Sequence, residues 1–342
     1  MTCQCSIIPN DVLKRFAEDK LLSLLERKHF ADAALVDMQL RKLRVQVGKL
    51  ISATAKLSLA PVQIAASPTI TVANCNHSQT LPGAPVANPG SSADLTIKRA
   101  YDETKAVAEF YKTVFGRNSI DNAGNALGSS VHYGVKYNNA FWNGSRMTYG
   151  DGDGNIFIDF TQSNDVICHE LTHGVTQYTL QLGYTNEAGG LNESMSDVFG
   201  SMFRQWRAGQ AVKQADWLIG RDIMGPGAKK RGFTCLRDMA NPGAAHCLAP
   251  QPFHMKDYKS GMDPHYSSGI PNFAFYKIAM AAGGKSWEKV GQIWYKALTG
   301  TRSPNMRMKT FADGTRKLAV SMYPGDAALH NAVDTGWKAV GL

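Results

Sequence analysis

The chain has 342 residues, 44% of them apolar and 19% charged, enough for a substantial core and two or three structural units. Its net charge of +9 is spread thinly, the densest basic runs being Arg41-Lys42-Leu43-Arg44 and Lys229-Lys230-Arg231. With no nucleic-acid motif beside them, these read as a solvated basic surface, and nucleic acid is not expected as a partner.

The N-terminus, MTCQCSIIPNDVLKRFAEDK, lacks the basic stretch and apolar run of a secretory leader. Residues 45–66 are apolar but interrupted by Lys49, Lys56 and Pro61, so they do not predict a membrane span. From Asp11 to Arg44 the residues are rich in Leu, Ala, Lys and Glu and predict one or two helices. Thr69-Ile70-Thr71-Val72-Ala73 alternates and predicts a strand, followed by a Gly/Pro/Ser-rich loop from Leu81 to Ser92. Helical periodicity runs from Asp94 to Phe115, and the turn-rich remainder to Asp165 predicts a sheet, with a tight turn at Gly150–Gly154. Tyr137–Gly144, read alone, is a strand with aromatic packing residues. Six cysteines form no CxxC zinc pattern and are too few for a disulfide scaffold. Cys235 and Cys247 flank a Gly/Pro/Asn-rich stretch and are candidates for pairing, while Cys168 reads as a small buried residue; the redox compartment stays open.

Chemistry concentrates in residues 164–197. His169-Glu170-Leu171-Thr172-His173 places two imidazoles one helical turn apart on one face, able to share a zinc ion, with Glu170 beside them to act on water. A pentapeptide of this kind on an amphipathic surface helix can be a chance match. The following Asn192-Glu193-Ser194-Met195-Ser196-Asp197 weighs against chance, because Glu193 and Asp197 share a face of a second helix. Glu193 would be the third protein ligand, and Asp197 could accept a hydrogen bond from a ligand imidazole and fix its tautomer, with Asn192 in a similar supporting place. Beyond Asp197 the composition favours helices, most clearly at Pro271–Ala282, Ser286–Leu298 and the C-terminal segment.

HELTHGVTQYT followed by GGLNESMSDVFG resembles the thermolysin family of zinc metallopeptidases. A metzincin would carry Gly and His where Thr176 and Thr179 stand, and no GAMEN-type aminopeptidase segment is present. The resemblance covers roughly residues 70–342 and implies an α+β fold: a β-rich lobe over 69–163, and the zinc helix with a helical lobe over 164–342. It implies zinc-dependent hydrolysis of peptide bonds in proteins, before bulky hydrophobic residues, with His169, His173 and Glu193 as ligands and Glu170 as base. Tyr184, in Gly-Tyr-Thr-Asn-Glu, and His265, in Asp263-Pro264-His265-Tyr266-Ser267, match the family's oxyanion donors. Asp263 stands closer to His265 than the family's orienting carboxylate, which leaves its role open. Asn139, the Ala140 carbonyl and Arg237 would hold the substrate backbone. Phe157, Phe160, Val166 and Leu236 are candidates for a pocket wall or for plain core.

Cys5-Ser6-Ile7-Ile8-Pro9 resembles the opening of the pro-segment in the protealysin-like subgroup, with Asn10 in place of a second proline. That implies an inhibitory segment over 1–68, removed between about Leu50 and Thr69; an ordinary helical accessory domain is the alternative. Cys3 or Cys5 could ligate the zinc, though occupation of the cleft by the segment is preferred. A monomer with no membrane partner is expected, and the subgroup implies release without a classical leader; the cytoplasm is the alternative. Family members often hold two calcium ions beside the zinc helix. Here Asp165 and Asp216 match that cluster, but Arg204, Leu218 and Arg221 occupy three of its places, so the pair is expected to be absent and replaced by an arginine salt bridge. A non-catalytic zinc-dependent peptide-binding protein is the rival function, against which Glu170, Tyr184 and His265 together argue.

Overall fold

The computed structural model describes residues 5–54 and 66–342, with residues 43–54 given only as helical backbone. Cys3 and the greater part of the expected cleavage window lie outside the described residues. The N-terminal segment opens with a two-residue strand, β1 (Cys5–Ser6), then the helices α1 (Asn10–Ala17) and α2 (Leu24–Thr54). Ser23 and Glu26 start α2 reciprocally: Glu26 N–H donates to Ser23 Oγ at 3.2 Å, and Ser23 N–H to Glu26 Oε2 at 2.8 Å. Phe16 of α1 stacks on Phe30 of α2 with centroids 5.0 Å apart, so each helix covers the other's apolar face. The two helices match the expectation; β1 was not foreseen, since two residues carry no periodicity.

Five further strands complete one sheet: β2 (Ile70–Asn74), β3 (Ala84–Pro85), β4 (Leu127–Val131), β5 (Ala140–Trp142) and β6 (Met147–Tyr149), in the order β1-β5-β6-β4-β2-β3. The β2–β4 and β4–β6 pairs are parallel. A parallel pair needs a long crossover, and α3 (Leu95–Phe115) supplies it between β2 and β4. Asp94 caps α3 by accepting from the N–H groups of Thr96 and Ile97, and Gly116 closes it at φ 67°. At Gly150–Gly154 the chain forms an open loop instead of the expected tight turn, organised by Asp153, which accepts from the N–H groups of Asn155, Ile156 and Phe157.

The rest is helical. It comprises α4 (Asn164–Tyr178), α5 (Asn186–Arg207), the hairpin strands β7 (Leu218–Ile219) and β8 (Arg237–Asp238) flanking α6 (Pro226–Lys230), the short α7 (Pro264–Ser267), and α8 (Gly269–Ala282), α9 (Lys289–Leu298), α10 (Met308–Met322) and α11 (Ala327–Lys338). The fold is α+β, a sheet-bearing N-terminal part and a helical C-terminal part with α4 between them. Every residue of α4 from Asp165 to Thr176 is buried. On the sheet side Trp142 Nε1 donates to Gln177 Oε1 at 3.2 Å, and Tyr111 Oη pairs with Thr172 Oγ1 at 2.7 Å. On the other side α5 comes so close that a Cβ on Gly200 would sit 2.7 Å from the Asp165 carbonyl oxygen. Only glycine permits that approach, which brings Glu193 and Asp197 against the two histidines.

Candidate metal centre and cleft

His169 and His173 project from α4 with their Nε2 atoms 3.1 Å apart. Glu193 of α5 places Oε2 3.4 Å from His169 Nε2 and Oε1 3.5 Å from His173 Nε2. The outer nitrogens decide the tautomers. His169 Nδ1 lies 2.9 Å from Asp197 Oδ1 and His173 Nδ1 lies 2.9 Å from Asn192 Oδ1. Asn192 Nδ2 donates to the Leu182 carbonyl at 3.0 Å, which fixes Oδ1 as the atom facing His173. Both Nδ1 atoms therefore carry protons, and both Nε2 lone pairs converge on Glu193, whose Oε2 has no hydrogen-bond partner among the described residues. Two unprotonated imidazole nitrogens converge with a carboxylate in residues at 0% exposure, a buried donor set suited to a shared cation. The donor set fits zinc.

Asp197 joins the centre to the cleft. It accepts Arg237 Nε at 2.8 Å and Nη2 at 2.7 Å, and Asn272 Nδ2 at 2.9 Å, besides His169. Burial works against its charge, but Arg237 and His169 hold its carboxyl down at about 2. Glu193 is likewise held well below the usual carboxylate range, its burial outweighed by His265, His173 and His169. Glu170, also at 0% exposure, goes the other way: burial pushes it up to about 8. Neither Asn272 nor the support of Asp197 by Arg237 is legible from spacing, because each joins residues far apart in the chain.

Tyr184 Oη bonds to Glu193 Oε1 and lies 3.4 Å from His265 Nε2. Asp263, whose role the sequence left open, lies 2.7 Å from His265 Nδ1 and also accepts from the His265 N–H at 3.0 Å. Gln251, which no motif marks, donates to the His265 carbonyl at 2.6 Å.

The cleft holds the N-terminal segment. β1 pairs antiparallel with β5, Ser6 opposite Phe141 and Cys5 opposite Trp142. Ile7 N–H donates to the Ala140 carbonyl at 3.0 Å, and Ile8 N–H to Asn139 Oδ1 at 3.0 Å. Asn139 Nδ2 donates back to the Ile8 carbonyl at 3.3 Å, and Arg237 Nη1 to the Ile7 carbonyl at 3.1 Å. The Ser6 carbonyl lies 2.6 Å from His265 Nε2. Cys5 Sγ falls within 4.8 Å of donor atoms of His173 and Glu193. From α2, Asp37 accepts from Ser6 Oγ at 2.5 Å and pairs with Arg41 at 2.7 Å; Arg41 in turn reaches Asp263 at 2.7 Å. The i, i+4 spacing of Asp37 and Arg41 was the available signal, but nothing in it pointed to Asp263. Phe157 packs edge-on against Phe16 and tilted against Phe30 and Phe160. It thus forms part of the bed for α1 and α2, and the four candidate pocket residues are all fully buried.

Beside α4, Arg204 Nη1 lies 2.8 Å from Asp222 and 3.5 Å from Asp165, and its Nη2 is 3.9 Å from Asp216. Arg221 pairs with Asp216 at 2.7 Å. Asp165 also accepts the Gly220 N–H at 2.7 Å.

The sequence profile of the thermolysin metallopeptidase catalytic domain matches residues 69–177, and that of the thermolysin metallopeptidase alpha-helical domain matches residues 181–342. An extracellular metalloprotease of Pectobacterium carotovorum is 39% identical over 99% of this chain and 96% of its own length. A thermolysin of Alicyclobacillus acidocaldarius is 37% identical over 74% of this chain and 46% of its own. The precursor of protealysin, a metalloproteinase from Serratia proteamaculans, superposes with a TM-score of 0.83 at 38% identity, covering 98% of this chain and 99% of that one. Likeness to a precursor extends over nearly the full length, so it takes in the segment lying in the cleft as well as the two lobes. This chain belongs to the thermolysin family of zinc metallopeptidases and is a metalloendopeptidase made as an inactive precursor.

Proposed function

We propose that His169 Nε2, His173 Nε2 and the Glu193 carboxylate hold the catalytic zinc, and that residues 1–68 are the inhibitory pro-segment, lost by cleavage between about Leu50 and Thr69. Zinc bound there acidifies water and polarises the carbonyl under attack. Glu170 takes the proton from the attacking water and delivers it to the departing amide nitrogen. Tyr184 Oη and His265 Nε2 donate to the oxygen on which negative charge develops, and Asp263, accepting from His265 Nδ1, orients that ring. Asp197 and Asn192 hold the two ligand imidazoles in the tautomers that leave the proton off Nε2.

The observation that carries the substrate reading is the hydrogen bonding of Ser6-Ile7-Ile8. An extended backbone beside an edge strand is how a peptide adds to a sheet, and Asn139, Ala140 and Arg237 bind that backbone while His265 faces the Ser6 carbonyl. The segment thus occupies the cleft as a substrate would, with Ser6–Ile7 where the cut would fall and a bulky apolar residue just after it. Proteins and peptides with such a residue following the scissile bond are the substrates, taken by a monomer acting outside the cell; the Pectobacterium relative's name supports the location. Among peptides differing only at that position, the processed enzyme should favour Ile, Leu or Phe over Ala by about 10-fold or more in kcat/KM. A preference for Asp or Lys there would refute the reading.

The Arg204 and Arg221 ion pairs support replacement of a calcium pair beside α4, since guanidinium groups repel a dication and satisfy Asp165 and Asp216 themselves. Millimolar calcium should leave the melting temperature unchanged, measured against the same chain in a calcium chelator that spares zinc. A rise of several degrees abolished by Asp165→Asn would place calcium there.

A further inference from the structure

Away from the catalytic centre, a second group of soft donors lies at the start of β8. Cys235 and Cys247 face each other across a parallel bridge, both at 0% exposure and both free thiols, with Sγ atoms 3.8 Å apart. His246, half-exposed beside them, places Nδ1 3.7 Å from Cys235 Sγ. The donor atoms of the three residues all fall within 4.8 Å of one another. Two thiolates on one tetrahedral zinc, each about 2.3 Å from the metal, stand about 3.8 Å apart, and a thiolate and an imidazole nitrogen about 3.6 Å. The second ring nitrogen of His246 is also provided for: Nε2 lies 3.3 Å from Asp238 Oδ2. A carboxylate there accepts a hydrogen bond from Nε2–H and aims the Nδ1 lone pair at the sulfurs, the usual support of a ligating histidine. Thr234 Oγ1, 2.8 Å from Nδ1 and 3.9 Å from Cys235 Sγ, borders the group on its open side.

We propose that Cys235, His246 and Cys247 form a second zinc site, distinct from that of His169, His173 and Glu193, with solvent at the fourth position. Its place in the fold gives it a structural role. Leu248 N–H donates to the Cys235 carbonyl at 2.9 Å and Ala249 N–H to the Leu236 carbonyl at 3.0 Å, so the loop returns alongside the strand it left. A metal shared by Cys235 and Cys247 closes that loop two residues from Arg237, which holds both Asp197 and the Ile7 carbonyl.

The test uses the full chain with Cys3→Ser and Cys5→Ser, which removes the sulfur near the catalytic ligands. Purified under reductant and supplied with zinc, it should carry a second equivalent of the metal. Cobalt in place of zinc should give thiolate-to-cobalt charge-transfer absorption in the near ultraviolet, which two imidazoles and a carboxylate cannot produce. Cys247→Ser should remove the band and one equivalent of metal together, and Asp238→Asn should weaken the second site by about 10–100-fold. The cobalt spectrum of the chain with Cys235, His246 and Cys247 intact decides the matter even if Cys247→Ser fails to fold. A single equivalent and no thiolate band, with both thiols titrating as reduced, overturns the proposal. So does a Cys235–Cys247 disulfide in protein isolated without added oxidant.

Discussion

Glu170 and Glu193 are two buried carboxylates in one site whose surroundings drive them in opposite directions. Burial raises Glu170 to about 8, whereas three histidines hold Glu193 well below the usual range. Such a divergence separates a proton carrier from a permanent anion. Glu170→Gln should therefore keep its zinc, because no proposed ligand is altered, and lose about 10²–10⁴ in kcat, the usual contribution of a general base. Metal content and peptide turnover on the same preparation check this; near-normal kcat at full zinc would remove Glu170 from the mechanism. These residue types were legible because one helical turn brings His169 and His173 to one face whatever surrounds the helix. The partners on their outer nitrogens were legible only in part. Asp197 and Asn192 lie in the motif, but Asn272 and Arg237 arrive from separate elements.

At the scale of elements, His132 shows how the sheet is tied to its crossover helix. It follows β4, with Nε2 3.0 Å from Asp94 Oδ2, the cap of α3, and Nδ1 2.9 Å from Asp151 Oδ1. Both nitrogens face acceptors, so the ring must carry two protons to satisfy them, and the Asp151 hydrogen bond and charge with Asp94 raise His132 to about 9 against burial. A raised folded-state value gives stability that is complete below about pH 6.5, the unfolded value, and lost as pH climbs through about 9. Denaturant unfolding at about pH 6 and pH 9.5 should show a loss on the order of 1–3 kcal/mol that His132→Asn abolishes. Equal pH dependence in the two chains would show that the imidazolium contributes nothing. The α3 boundaries were readable beforehand because Asp94 and Gly116 act on the nearest turn. The tie from His132 was not, since Asp94 and Asp151 approach it through the sheet.

Across the whole molecule, the N-terminal segment grips both halves of the enzyme. Phe16 and Phe30 cover Phe157 on the sheet side; Arg15 donates to the Leu248 carbonyl at 2.8 Å, and Asp19 and Asp11 bond to Arg231 and Tyr266. Arg41 bridges Asp37, which holds Ser6, to Asp263, which holds His265. Release of the segment must break these contacts together, so latency belongs to the assembly and not to the cleft strand alone. A chain beginning near Thr69 should hydrolyse a peptide without delay, whereas the full chain should show a lag or a lower rate. Arg41→Ala should shorten that lag severalfold, since charged hydrogen bonds of this kind contribute about 1.5–3 kcal/mol each. Equal initial rates for the long and short forms would end the case for latency.

The sequence alone determined whatever depends on neighbours within a few turns. That covers the paired histidines with Glu170, the Glu193–Asp197 face, the span of α3, and, through dense motif resemblance, the family. Tertiary structure decided what depends on distance in space between residues remote in the chain. Asp263 meets His265 Nδ1 only because the start of α7 brings both into line with β1, and β1 exists only because β5 offers an open edge to Ser6. Cys235 and Cys247 remained merely candidates for pairing until the loop between them closed with His246 alongside. Hydrogen bonds and metal sites need angstrom placement, which local periodicity cannot encode and packing of the whole chain supplies.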